Sequence, residues 1–259
     1  MPGVALSTYI QAASALGSGL TALKLRSNGL ASRYHLFFVY MVFRAPYVAL
    51  MLFLGPKSPV YFYAYVIGQP IEWFFCIAVV FELFRLVLER HRGFYTVGRW
   101  AMYFGLAFSV TVSALTLLAK ITPQKPQASR FAMGVYVSTE RGLDFSLAIF
   151  LILMLLLLNM YTVPLSRNVV LHVVIYTVYF LSGAMGMILR TFFGLKFVAA
   201  TDAASLAAPC GCVLAWLFLL TPEGEEARVK LPWFGAEQEE RILHQLDALN
   251  ATLLKVARK

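Results

Sequence analysis

The sequence predicts an all-α, polytopic membrane protein. The expected architecture is a seven-transmembrane-helix bundle, N-terminus outside and C-terminus inside, followed by a short amphipathic cytoplasmic helix. Three observations carry this. Of 259 residues, 60% are hydrophobic and 14% charged, against about 45–50% and about 25% in a soluble domain. The apolar residues gather into runs near the ~20 residues that cross a bilayer core. The basic residues behind the net charge of +9 sit mostly between those runs, where they set orientation and meet anionic headgroups. No basic face carries a reader motif, so nucleic acid is not expected as a partner.

The first span is read over about Val4 to Leu23. No Lys or Arg precedes Lys24, so the positive n-region of a secretory signal is missing and the stretch reads as a retained span. Ala13/Gly17 and Ala15/Gly19 are small-xxx-small pairs that let helix backbones approach closely; a surface helix is the alternative. The second span, about His35 to Leu54, contains Arg44 with Pro46 just after it. The segment from Gly55 to Pro59 is a turn.

The third span opens in Tyr61, Phe62, Tyr63 and Tyr65, an interfacial aromatic belt. Gln69-Pro70 loosens one turn of backbone pairing, and Glu72 and Trp73 follow at once. The fourth span is about Trp100 to Leu118. Lys120 to Arg141 reads as the longest loop, with a short apolar piece from Phe131 to Val137. Leu143 to Val163 is the fifth span, Asn168 to Leu189 the sixth, with a close-approach face at Ser182, Gly183 and Gly186. The seventh is about Ala203 to Leu220, interrupted by Pro209, with Thr201 or Asp202 as its N-cap.

The domain division is therefore 1–220 transmembrane, 221–235 polar linker and 236–259 helix. In the last piece Ile242, Leu246, Leu249, Leu253 and Val256 follow an a/d spacing. The seam lasts about two heptads, short of a secure coiled coil. It fits a helix on the membrane surface or on the protein's own loops, or a seam to a second copy or a partner protein. With the N-terminus outside, the cytoplasmic loops hold eight Lys or Arg, the opposite loops seven over longer segments, and the tail six more. The positive-inside rule favours this orientation, and the localisation expected is a multi-pass position in the plasma or inner membrane. The sequon Asn250-Ala251-Thr252 then lies in the cytoplasm, so glycosylation there would contradict the orientation.

Ionisable groups at bilayer depth are functional hypotheses by default. Arg44 lies about ten residues inside one end of its span and Glu72 about thirteen inside the same end of the next, depths of ~15 and ~20 Å. An ion pair is expected. It either fixes helix packing or, with Gln69 and Trp73, forms an intramembrane polar site. Glu140, Arg141 and Asp144 are placed at an outer mouth, solvated or capping, or forming a binding entrance. Cys76, Cys210 and Cys212 read as buried thiols, not a disulfide framework. His35 and His172 fall near the inner ends of their spans, but no histidine pair sits mid-bilayer, so haem is not expected.

No other cofactor and no metal is expected, and no GxSxG, HExxH or P-loop occurs. A retinal Schiff base needs a lysine in the last span, and Ala203 to Leu220 has none. The expected function is a non-catalytic sensor, receptor-like or accessory membrane-complex protein in contact with the lipid bilayer. The alternative is a small-solute or proton-coupled transporter using Arg44 and Glu72.

Overall fold

The computed structural model describes residues 2–55, 58–88, 128–160, 165–193, 198–226 and 228–229. Among them the protein is all-helical: α1 (Pro2–Ser27), a 3-10 turn (Leu30–Ser32), α2 (His35–Leu54), α3 (Pro59–Leu88), α4 (Ala128–Met160), α5 (Arg167–Phe193), α6 (Val198–Leu219) and the single turn α7 (Glu223–Glu226). The only strand pairing among the described residues joins β1 (Leu165–Ser166) to β2 (Arg228–Val229), antiparallel, with Leu165 opposite Val229 and Ser166 opposite Arg228. The expected fourth span and the tail seam from Ile242 to Val256 lie outside the described residues.

Helix neighbours run in the order α3, α2, α1, α6, α5, α4, with α4 returning to α3. Small residues explain why α1 can sit between two partners. Gly17 faces α6, where a Cβ would come within 2.9 Å of Val213, and Gly19 faces Ala45 of α2. Being two residues apart, they open two different faces of one helix. Two buried polar side chains of α1 are satisfied locally: Ser18 donates to the Ser14 carbonyl and Thr21 to the Gly17 carbonyl, each at 2.8 Å.

Helix ends are satisfied across helices. Tyr34, at the N-cap of α2, supplies no side-chain cap. Glu82 of α3 does so instead, accepting the backbone N–H groups of Leu36 at 2.9 Å and Phe37 at 3.1 Å. A carboxylate at a helix N-terminus also meets the positive end of the helix dipole. At the opposite polarity, Lys24 donates to the Leu217 carbonyl at 2.6 Å, in the last turn of α6.

Three expectations change. Residues 128–141, read as loop, are the first part of α4, a 33-residue helix. That makes it ~50 Å long at 1.5 Å per residue, well beyond a ~30 Å hydrocarbon core. Pro123 and Pro126 precede it and no proline interrupts it, so nothing in the sequence stops the helix before the apolar run. Thr201 and Asp202 do not cap α6, because that helix already begins at Val198. Lastly, two helices are long and apolar enough to cross a membrane, His35–Leu54 with mean hydropathy 1.9 and Arg167–Gly186 with 1.8. The apolar parts of α4 and α6, Gly142–Leu156 and Ala203–Leu219, are shorter. In α3, Glu72, Glu82 and Arg85 interrupt the apolar run, and small and polar residues dilute α1. By length and composition the described residues thus supply two span-grade helices where seven spans were expected.

The start of the segment read as a linker is folded onto the bundle. Glu225 accepts from the Tyr34 hydroxyl at 2.7 Å and from Asn168 at 3.3 Å, and pairs with Arg33 at 2.6 Å. Burial raises the Tyr34 pKa, and the hydrogen bond to Glu225 raises it further, so the phenol stays a donor at any physiological pH. Asn168 also donates to the Thr221 carbonyl at 2.8 Å. One carboxylate thereby ties α7 to the α1–α2 turn and to α5.

Candidate functional site

The site forms where α2 and α3 face each other and α5 crosses behind them. Gly68 permits the α2–α3 approach, since a Cβ there would overlap the Tyr47 ring. One helical turn from Tyr47 stands Arg44, only 5% exposed. Its Nη1 lies 3.1 Å from Glu72 Oε1, 2.5 Å from the Tyr40 hydroxyl and 3.1 Å from the Tyr179 hydroxyl. Tyr40 donates onward to Glu72 Oε1 at 3.3 Å. The Tyr40 and Tyr179 rings also flank the guanidinium at 5.8 and 5.5 Å from their centroids, a cation–π setting. Two helices supply the ion pair, and a third supplies a phenol that closes it.

Above this pair opens a cavity of about 610 Å³, lined from all six long helices among the described residues. That volume falls within the roughly 300–1,000 Å³ of small-molecule sites. Of the residues singled out in the sequence, Arg44, Gln69, Glu72, Trp73, Glu140 and Asp144 all line it. The group expected at a separate outer mouth therefore shares one chamber with the intramembrane group. The side chain of Arg141 lies outside the described residues. Asp144 presses on Gly183 of α5, where a Cβ would overlap its carboxylate. Gly183→Ala is accordingly expected to turn the Asp144 carboxylate aside into the chamber it lines, at a stability cost within about 1 kcal/mol. The Asp144→Asn/Gly183→Ala double variant should gain nothing back, because the collision is steric; thermal unfolding midpoints in detergent check both.

Sequence reasoning missed two features. The first is the pair of tyrosines on Arg44; Tyr40 stands one turn before it at the helix spacing i,i+4, a signal that was legible. The second is an aromatic floor beneath the pair. Phe37, His172, Tyr176 and Trp216 are each 0% exposed. Their ring centroids lie 4.5 Å apart for Phe37–His172, 5.1 Å for Phe37–Trp216 and 4.5 Å for Tyr176–Trp216. The Phe37–His172 contact is T-shaped, at 81°, the preferred edge-to-face arrangement. His172 is thus a core residue and His35 is exposed. Cys76, Cys210 and Cys212 are buried and free. No group of three or more metal-ligating side chains occurs among the described residues.

No protein-family model, curated protein or solved structure matches the chain. The functional reading therefore rests on the geometry alone.

Proposed function

We propose that the chain is a multi-pass integral membrane protein of seven spans, N-terminus outside, that acts as a non-catalytic sensor or receptor-like subunit. Its ligand enters the cavity over Arg44 and Glu72 from the outer half of the bundle. Support for lipid as the surrounding solvent comes from outward-facing apolar surface. Only 22% of the α2 window and 39% of the α5 window is buried, whereas a core helix of a soluble protein is mostly buried. Large side chains such as Phe53 (87% exposed) and Phe218 (71%) face outward, and so many exposed apolar groups mark a membrane or partner surface.

The observation that favours a sensor over a transporter is the aromatic floor. The cavity is lined by the first half of α1, the last half of α2, the first half of α3 and the matching ends of α4, α5 and α6. On its other side lie Phe37, His172, Tyr176 and Trp216, none exposed. A transporter needs access to the site from each side in turn; a sensor needs one opening and a coupled far end. The Glu225 contacts supply that far end, and the helix read at 236–259 is the partner-facing element.

Access from one side is directly testable. Ser14→Cys and Met51→Cys, made in a chain lacking the native thiols, should react with a membrane-impermeant maleimide from the outer face of sealed vesicles and not from the inner face. Labelling from both faces in the same preparation would favour the transporter reading.

A further inference from the structure

Resting on the sensor reading above, we infer that the aromatic floor is the moving part of the protein. It exchanges the present ring packing for one in which His172, Tyr176 and Trp216 are hydrogen-bonded, and so carries the state of the chamber to the inner end. The ground is a set of orphaned polar atoms. Both ring nitrogens of His172, the Tyr176 hydroxyl and the Trp216 Nε1 have no hydrogen-bond partner among the described residues, and all three residues are 0% exposed. Whichever nitrogen holds its proton, a neutral imidazole offers one donor and one acceptor, a phenol offers both and an indole one donor. The three are therefore complementary. Their ring centroids lie 6.4 Å (His172–Tyr176), 6.2 Å (His172–Trp216) and 4.5 Å (Tyr176–Trp216) apart, close enough for ring rotation to bring donor to acceptor. Buried polar groups are nearly always bonded. The present packing keeps its ring contacts and forgoes those bonds; the other does the reverse, so the two compete closely.

Contacts run from the floor toward both ends of the bundle. Tyr176 stacks on Phe180 at 5.8 Å and meets the Tyr179 ring at 6.3 Å. Phe180 and Tyr179 both line the chamber, and Tyr179 bonds Arg44. On the inner side the Tyr34 ring lies 4.7 Å from His172, and its hydroxyl holds Glu225 at 2.7 Å. Contact alone does not couple two sites; an element with two arrangements that both sites bias does. The floor is such an element. An occupant of the chamber presses on Tyr179 and Phe180 and thereby on Tyr176, and a turn of His172 shifts Tyr34 against Glu225. Because the rings re-tilt within the stack and none leaves it, the chamber stays sealed from the inner side in both arrangements.

The test needs no ligand, because coupling is reciprocal: if the chamber biases the Glu225 clamp, the clamp biases the chamber. It uses the full chain in nanodiscs, free of native thiols, with Met51→Cys as a maleimide reporter in the chamber lining. Glu225→Ala cuts the bonds to Arg33, Tyr34 and Asn168. It should change the labelling rate by at least about fivefold, the lower end of ordinary allosteric coupling. In a Tyr176→Phe background, which keeps the ring and drops the hydroxyl, the same substitution should leave the rate unchanged. Tyr34→Phe replaces Glu225→Ala, and His172→Leu replaces Tyr176→Phe, if either chain does not fold. Tyr176→Phe alone should raise the unfolding midpoint, since it removes an unbonded hydroxyl from the interior. An equal response in both backgrounds, or none in the parent, overturns the floor as the relay while leaving the chamber a binding site. A lower midpoint for Tyr176→Phe overturns the premise that its hydroxyl is unbonded. A Met51→Cys thiol unreactive from either face of sealed vesicles overturns the binding reading itself.

Discussion

Arg44→Met alone should be among the most damaging single substitutions in the chain. It leaves Glu72, whose side chain is 14% exposed, with the Tyr40 hydroxyl as its one remaining partner in the cluster. Removing one member of a buried ion pair costs about 3–5 kcal/mol, because the survivor stays charged or must take a proton. The Arg44→Met/Glu72→Leu double variant removes both charges and should recover part of that loss. Recovery stays incomplete for a specific reason: the Tyr40 and Tyr179 hydroxyls both bond Arg44, and each hydroxyl stranded in the interior costs roughly 1–3 kcal/mol. Adding Tyr40→Phe and Tyr179→Phe should restore stability to near the starting value. Unfolding midpoints for the single, double and quadruple variants read the series. If the quadruple variant is stable and a thiol at Ser14 is still labelled from the outer face alone, the cluster is a packing device. If it is stable and that one-sided labelling is lost, the cluster belongs to the wall of the cavity.

What the sequence revealed, and what it withheld, follows from which interactions are local. Arg44 and Glu72 were legible as neighbours because one short turn joins their helices and helical rise converts residue counts into depth. The small residues of α1 announced close packing, although not that Gly17 would face α6 and Gly19 α2. Asp144 was placed at a solvated mouth because depth was counted from a loop that is in truth helix. Once 128–141 join α4, that residue sits four turns inside a continuous helix and not at its start. The cap that Glu82 provides to α2, and the joint bonding of Tyr34, Arg33 and Asn168 to Glu225, link residues 45 to 192 positions apart. No periodicity encodes such partners; they become visible only when the helix order α3, α2, α1, α6, α5, α4 is known. Likewise, four aromatic or imidazole side chains on three helices read singly as core, and only their convergence makes a floor.

Trp216→Ala tests that floor, and its effect should be comparable in size. Trp216 is fully buried, with centroids of Phe37, His172 and Tyr176 at 5.1, 6.2 and 4.5 Å. Truncating a large buried aromatic costs about 3–5 kcal/mol through lost transfer energy and the void left behind. Here the void has a direction. It opens between the chamber above and the end of the bundle held by Glu225, so a thiol at Ser14 or Met51 that is labelled only from outside in the parent should gain labelling from the inner face. Trp216→Phe, which keeps a ring in place, should lose less stability and keep one-sided labelling. A destabilised Trp216→Ala chain whose labelling stays one-sided would show that some other layer seals the chamber. Inner-face labelling that appears equally in Trp216→Phe would instead mark general loosening of the bundle. Only the combination of a large stability loss, two-sided access in the alanine variant and one-sided access in the phenylalanine variant fits a stack of rings acting as a barrier, the feature on which the proposed sensor reading parts from the transporter reading.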